Sequence, residues 1–405
     1  MPCCHICNTP FEAFLSFGQT PISNHFLLPQ DVADEYFFEL AVGFCPACSM
    51  VQLTEQPDRE RMFHENYAYF SSISVRMAQH FEAFAASVRQ RWLDRPDPLV
   101  VELGSNDGIM LRHFAKDGLR HLGVEPSANV AEAGRRQGVD TVCAFFDADL
   151  AEKIKAEKGQ ADAILAANVM CHIPYQDSVI AGFDRLLAPR GVVIFEDPYL
   201  GDIVERTSFD QIYDEHVFYF SLSSVSAMFA RHGMEVVDAE PQDVHGGEMR
   251  YTIARKDARP VHPRVAELAR REAALGLAEP ATFARFAGNV ARSGMELVAA
   301  LADLKRQGKR VVGYGATSKS ATVTNYCGIG PDLVEFISDT TPTKQGRLSP
   351  GTHIPVRPYT EFSAGPPDVA LLFAWNHGAE IMAKEQAFRQ GGGKWLVYVP
   401  KVEIL

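Results

Sequence analysis

Leu99-Val-Val-Glu-Leu103 is an apolar run broken by one acid, and Gly104-Ser-Asn-Asp-Gly108 follows it directly. A short apolar run bounded by turn residues reads as a strand buried on both faces of a parallel sheet. Gly104 lets the backbone turn sharply at the strand end. Gly108 leaves no Cβ where a ligand or the following helix comes close. Ile109-Met-Leu-Arg-His-Phe114 then reads as a helix. The next strand, His121-Leu-Gly-Val-Glu125, ends in an acid about twenty residues on, where doubly wound sheets place a carboxylate for ribose hydroxyls. Further out, Ala161–Asn168 and Gly191–Asp197 read as strands around a helix at Ser178–Leu187. This alternation predicts a parallel α/β sheet.

The glycine spacing does not fit G-x-G-x-x-G. E-x-G-x-x-x-G, Glu102 to Gly108, resembles instead the first motif of class I S-adenosylmethionine (SAM) methyltransferases. That resemblance implies a SAM site built from Glu102, Gly104, Asn106, Asp107, Gly108, Glu125 and Pro126. Asp107 either faces the cofactor or caps the helix. Asn168, at a strand's carboxyl end, either lines the pocket or caps the helix that follows.

The cysteines cluster. Of eight, five lie early in the chain, and Cys4-His-Ile-Cys7 and Cys45-Pro-Ala-Cys48 are two C-x-x-C hooks. Together they complete a tetrahedral four-sulfur zinc site with no open position, hence a structural one. Cys4 rather than Cys3 has the spacing to Cys7, and two complete pairs leave His5 no place as a ligand. The segment between the hooks is rich in Phe, Pro and Leu. It predicts a small domain with little core of its own, stapled by metal. A disulfide framework is not expected in a 405-residue chain that opens MPCCHICNTP, without a basic and then apolar leader. The same feature predicts a cytoplasmic protein.

Two histidine motifs carry acid–base chemistry. His172 falls just beyond a strand end, where open α/β sheets bind ligands. Tyr213-Asp-Glu-His216 packs a phenol, two carboxylates and an imidazole between apolar flanks. A carboxylate bonded to the imidazole would fix its tautomer and raise its basicity. Such a histidine suits the removal of a proton next to a carbonyl, with Tyr213 as donor to the developing enolate.

Residues 259–309 read as a helical connector. Arg310–Tyr314, Gly315-Ala-Thr-Ser-Lys319 and the strands Leu333–Ser338 and Val369–Ala374 then form a second, smaller Rossmann-like unit. Its G-x-G lacks a third glycine, so a dinucleotide and a pyrophosphate alone both remain open. Lys319, Lys344 and Arg347 are the cations for a phosphate at the helix N-terminus, although Lys344 or Arg347 taken singly also fits a solvated surface charge.

A formal net charge of −12 argues against a nucleic-acid or anionic-membrane binder. No apolar run is long enough to span a membrane. A small anionic substrate held by local cations is not excluded.

The parts occur in order: the two cysteine hooks, V-E-L-G-S-N-D-G, A-N-V-x-x-H-I, Y-x-E-H-x-x-Y-F-S, H-G-G-x-x-R from His245 to Arg250, and G-Y-G-A-x-x-K. Over nearly the whole chain this series resembles the bacterial nucleotide-sugar C-methyltransferases of 4-keto-deoxysugars. The resemblance implies a zinc-binding domain at residues 1–70, a class I methyltransferase core at 71–258, and a connector and nucleotide-sugar-binding domain at 259–405. It implies His216 as general base, with Tyr213, Glu215, His172 and Tyr67 beside it. It also implies sugar-nucleotide contacts from His245, Arg250, Gly315, Ala316, Lys319, Lys344 and Arg347, in a monomer or small homo-oligomer. Asp214 and Glu248 depart from the family pattern and are expected to add negative charge near the sugar. The alternatives are a zinc-ribbon RNA or protein methyltransferase, a nicotinamide-dependent oxidoreductase using Gly313 and Gly315, and a zinc scaffold.

Overall fold

The computed structural model of the chain describes residues 1–57 and 75–405, so Tyr67 lies outside the described residues. The Phe- and Leu-rich segment between the cysteine hooks forms a bulged antiparallel hairpin of β1 (Glu12–Pro21) and β2 (Phe37–Phe44), extended by β3 (Val51–Leu53).

The core follows. After α1 (Val75–Trp92) come β4 (Leu99–Leu103), α2 (Leu111–Lys116), β5 (Arg120–Val124), α3 (Ala128–Arg136), β6 (Thr141–Val142), α4 (Ala148–Lys158) and β7 (Ala161–Ala167). Then come α5 (Gln176–Leu186), β8 (Leu187–Pro198), α6 (Leu200–Arg206), β9 (Phe218–Tyr219), α7 (Leu222–Ala230), β10 (Met234–Gln242) and β11 (Glu248–Arg255). Seven strands form one sheet in the order β10-β11-β8-β7-β4-β5-β6. All run parallel except β11, which is inserted antiparallel between β8 and β10. This is the strand order of class I methyltransferases, as the glycine motif implied. Successive side chains of a strand point to opposite faces. Leu99, Val101 and Leu103 therefore join one buried cluster, with Ile164, Ala166, Val193 and Phe195. Val100 joins the other, with Ala163, Leu165, Val192 and Ile194. Two cores, one on each face, explain why these strands carry almost no polar residues.

The connector is two helices, α8 (Pro263–Leu275) and α9 (Pro280–Arg306), each with proline in its first turn, where no N–H bond is lost. Beyond it lie β12 (Val311–Tyr314), α10 (Ser318–Cys327), β13 (Ile337–Asp339), β14 (Val356–Pro358), α11 (Tyr359–Ala364), β15 (Val369–Leu372), α12 (Gly378–Lys384), α13 (Gln386–Gln390), β16 (Lys394–Val397) and β17 (Glu403–Ile404). The six strands form a second sheet, ordered β14-β13-β12-β15-β16-β17 and parallel except at β17. The second Rossmann-like unit is thus present, although the strand expected at Leu333–Ser338 is confined to β13. Among the described residues no helix is long and apolar enough to cross a membrane.

The N-terminal hairpin has little core of its own, as expected. Leu15, Phe17 and Val42 share a buried cluster with Phe283 and Phe286 of α9 and with Val323 and Ile354 further on. Its sheet is completed by β9, from the core: Val51 pairs with Tyr219 and Gln52 with Phe218. Phe283 is central to the shared packing, stacked on Phe14 at 5.0 Å and on Phe44 at 4.7 Å. Phe283→Ala is expected to cost about 3–5 kcal/mol. Because the cluster is shared, denaturant titration should show the hairpin and the C-terminal sheet losing stability together.

Candidate active site

The four hook sulfurs converge. Cys4 Sγ stands 3.5 Å from Cys48 Sγ, and Cys7 Sγ stands 3.5 Å from Cys45 and 3.7 Å from Cys48. All four lie within 4.8 Å of one another. Zinc–sulfur bonds of about 2.3 Å in a tetrahedron put sulfurs about 3.8 Å apart, so the set fits zinc. None of the four reaches the cavity described below, and His5 packs edge-on against Phe218. The zinc is structural.

The chemistry gathers around one cavity of about 380 Å³. On its core side stand Gly104, Asn106, Glu125, Pro126 and Asn168. Glu125 accepts from the Asn106 N–H at 3.0 Å and the Ser127 N–H at 2.8 Å, which fixes the carboxylate at the end of β5. Gly104 has φ +60°, and a Cβ there would lie 2.3 Å from Val169 Cγ2. The β7 loop therefore requires glycine even without a ligand. Three expected cofactor residues stand behind the wall instead of in it. Gly108 makes room for Val139 and for Gly134 of α3. Glu102 is buried, its carboxyl raised well above the usual range by desolvation and by Glu125 and Asp107. Asp107 is buried as well, outside the cavity wall. Asn168 lines the cavity rather than capping a helix. Asn24, Phe81, Phe145 and Phe146 complete the wall. The sequence reading did not single them out, since an apolar wall residue looks like any core residue.

Across the cavity, His172 follows β7 in a single 3-10 turn, and Tyr213, Glu215 and His216 precede β9. The Val217 N–H donates to the Cys171 carbonyl at 2.8 Å and pins the two segments together. The rings of His172 and His216 stack at 5.2 Å. The expected carboxylate–imidazole pair is not formed. His216 Nδ1 instead meets the Gln211 carbonyl at 3.2 Å, and that oxygen can only accept. The tautomer is thereby set, and Nε2 accepts from the Tyr213 hydroxyl at 2.7 Å. Asp214 turns away and accepts from the Ser23 N–H at 2.9 Å. Glu248 is buried outside the wall, so neither departure from the family pattern puts a charge on the cavity surface.

Burial sets the protonation states. It lowers His216 well below the imidazole range, helped by His172 and Lys319. It takes His172 down to about 4 and His245, also in the wall, to about 3. Burial and Asp214 push Glu215 up to about 8.

The expected cationic grip divides. Lys319 and Lys344 line the cavity with Thr317 and Ser318, which the sequence reading missed. Lys344 Nζ donates to the Ala316 carbonyl at 2.8 Å and lies 4.6 Å over the Phe26 ring. Arg347 is outside the wall and donates to the Phe26 carbonyl at 3.0 Å. Arg250 is outside as well, paired with Glu196 and stacked 3.7 Å over Phe84. Gly315 and Ala316 are set back, the Ala316 N–H being taken by Asp339 at 2.7 Å.

Comparison with known proteins matches three family models in series along the chain. A zinc binding domain model matches residues 4–63, a methyltransferase domain model 76–239, and a C-methyltransferase C-terminal domain model 243–400. The C-methyltransferase NovU of Streptomyces niveus is 34% identical over 405 residues, covering 99% of this chain and 96% of the relative. The chain belongs to the C-methyltransferase family. Solved structures similar to this C-methyltransferase include a SAM-dependent methyltransferase from Anabaena variabilis, with 15% identity and a TM-score of 0.35 over 43% of this chain and 84% of that one. Another is the magnesium protoporphyrin IX methyltransferase of Synechocystis with bound SAM, with 11% identity and a TM-score of 0.34 over 49% and 89%. SAM is the methyl donor.

Three outcomes are expected of this C-methyltransferase. If His216 serves as a base it must be neutral, and its lowered pKa keeps it so as pH falls. The acid limb of kcat/KM should therefore lie below the ordinary imidazole value of about 6.5. Glu215→Gln should alter only the limb near pH 8, where the native carboxyl ionises. Removal of zinc by a chelator should lower the melting temperature and slow turnover, without competing with either substrate. Competitive inhibition at an unchanged melting temperature would mean an open, catalytic metal.

Proposed function

We propose that this C-methyltransferase methylates a nucleotide-linked 4-keto-deoxysugar at C3, next to the ketone. The observation that carries the reading is the tautomer of His216. Its Nδ1–H is committed to the Gln211 carbonyl, and its Nε2 faces the cavity that the SAM-side loops also line. A neutral, shielded imidazole beside a phenol is a fitting base for a carbon acid. In this reading the chain works as three units, 1–70, 71–258 and 259–405. Lys344, Thr317 and Ser318 at the start of α10 receive the diphosphate.

His216 Nε2 takes the C3 proton as Tyr213 releases its hydrogen bond to that nitrogen. The electron pair moves onto the ketone oxygen. Gln211 holds the resulting imidazolium in place. Tyr213 is then free to donate to the enolate oxygen, with His172 alongside. SAM supplies an electrophilic methyl group. The enolate carbon takes it in line, so the residues of both walls act by positioning.

The test is incubation with SAM and a panel of nucleotide-linked 4-keto sugars, with NMR to locate the new methyl. C3 methylation of one member is expected. His216→Asn should reduce both methyl transfer and solvent-deuterium exchange at that carbon by about 100-fold or more, while S-adenosylhomocysteine still binds. Undiminished exchange in the variant would remove His216 as the base.

A further inference from the structure

The cations of the C-terminal unit are not equivalent. Lys344 and Arg347 each donate to a backbone carbonyl, of Ala316 and Phe26. Lys319 lies in the first turn of α10 and lines the cavity. Yet among the described residues no carboxylate stands within 4.0 Å of its ammonium, and no acceptor takes a hydrogen bond from it. The carboxylates that act on it, Asp210 and Glu248, make no direct contact with it. Asp210 Oδ2 accepts from Trp375 Nε1 at 2.6 Å and from the Tyr398 hydroxyl at 2.7 Å. Glu248 acts on Lys319 only through space. The lysine's charge is also felt by the imidazoles of His216, His245 and His377, all lowered by burial and by it. A lysine among neutral imidazoles, lining the cavity without a direct ion-pair or hydrogen-bond partner among the described residues, is complementary to an anion that exists only during the reaction.

Resting on the reading of the preceding section, we propose that Lys319 is the cation that stabilises the enolate oxygen, leaving the diphosphate to Lys344 and the α10 N-terminus. The C3–H bond breaks, the proton goes to His216 Nε2, and the negative charge settles on the former ketone oxygen opposite the Lys319 ammonium. Lys319 gives up no proton. The charge also opposes premature protonation of His216. A preorganised donor aimed at developing charge acts on the transition state more than on the ground state.

The experiment measures solvent-deuterium exchange at C3 with S-adenosylhomocysteine bound, and steady-state methyl transfer, for wild type, Lys319→Gln and Lys319→Arg. Because Lys319 holds no partner, both variants should melt at the wild-type temperature. Lys319→Gln should lose about 100-fold in exchange rate and kcat, with KM for the sugar nucleotide within about 3-fold of wild type, and Lys319→Arg should recover part of the loss. A raised KM with exchange and kcat intact would make Lys319 a ground-state diphosphate contact and overturn the assignment. A wild-type enzyme that exchanges no proton with any 4-keto sugar would overturn both this assignment and the reading beneath it.

Discussion

Two backbone pairings, Val51 with Tyr219 and Gln52 with Phe218, connect the cysteine cluster to the His216 segment. On one side of the ladder, β3 follows the Cys45–Cys48 hook after two residues. On the other, His216 precedes β9 by a single residue. The ladder is reinforced by the Leu53 N–H on the Val217 carbonyl at 2.9 Å, and by the Gln52 side chain accepting from the His5 N–H at 3.0 Å within the first hook. A structural zinc 'domain' is therefore part of the wall that holds the imidazole. The Asp214–Ser23 bond ties the same loop to the same unit a second time.

The cavity separates charge from acid–base capacity. Desolvation keeps His172, His216 and His245 neutral and favours the protonated form of Glu215 near pH 7. Among the described residues the other lysine and carboxyl groups in the wall are Lys319 and Lys344, and Glu125 in its cradle of N–H donors. A chain of net charge −12 thus presents a cationic face to one half of its cavity. The proton-transfer groups between the two halves add little field of their own. Such an arrangement favours an anionic substrate and an anion formed in place.

Much of the fold could be read from local patterns. Leu99–Leu103 is a strand as expected because burial on both faces removes polar residues from it, and the cysteine hooks meet because their spacing fits one ion. The site was legible where a side chain itself faces the cavity, as with Asn106, Glu125, Asn168, His172, His216 and Lys344. It failed where the decisive partner is a backbone atom or a distant residue. No motif encodes the Gln211 carbonyl that replaces the expected carboxylate. Glu196 diverts Arg250, and the Phe26 carbonyl diverts Arg347, from elements remote in sequence. Glu102 and Gly108 belong to the motif for packing reasons: one is buried behind the loop, the other admits α3. Residues that support a loop recur in a motif as regularly as those that touch a ligand.

The pairing of β3 with β9 also orders the assembly of the molecule. Ser23 and Asp214, which meet across the same junction, are 191 residues apart. During synthesis the hairpin emerges early, but its β3 edge has no partner until Tyr219 has left the ribosome. Contacts of such long range form late and expose unpaired edges meanwhile. Closing that edge and placing His216 are one event, so a chain that has not finished folding its N-terminal sheet has no assembled base with which to deprotonate anything.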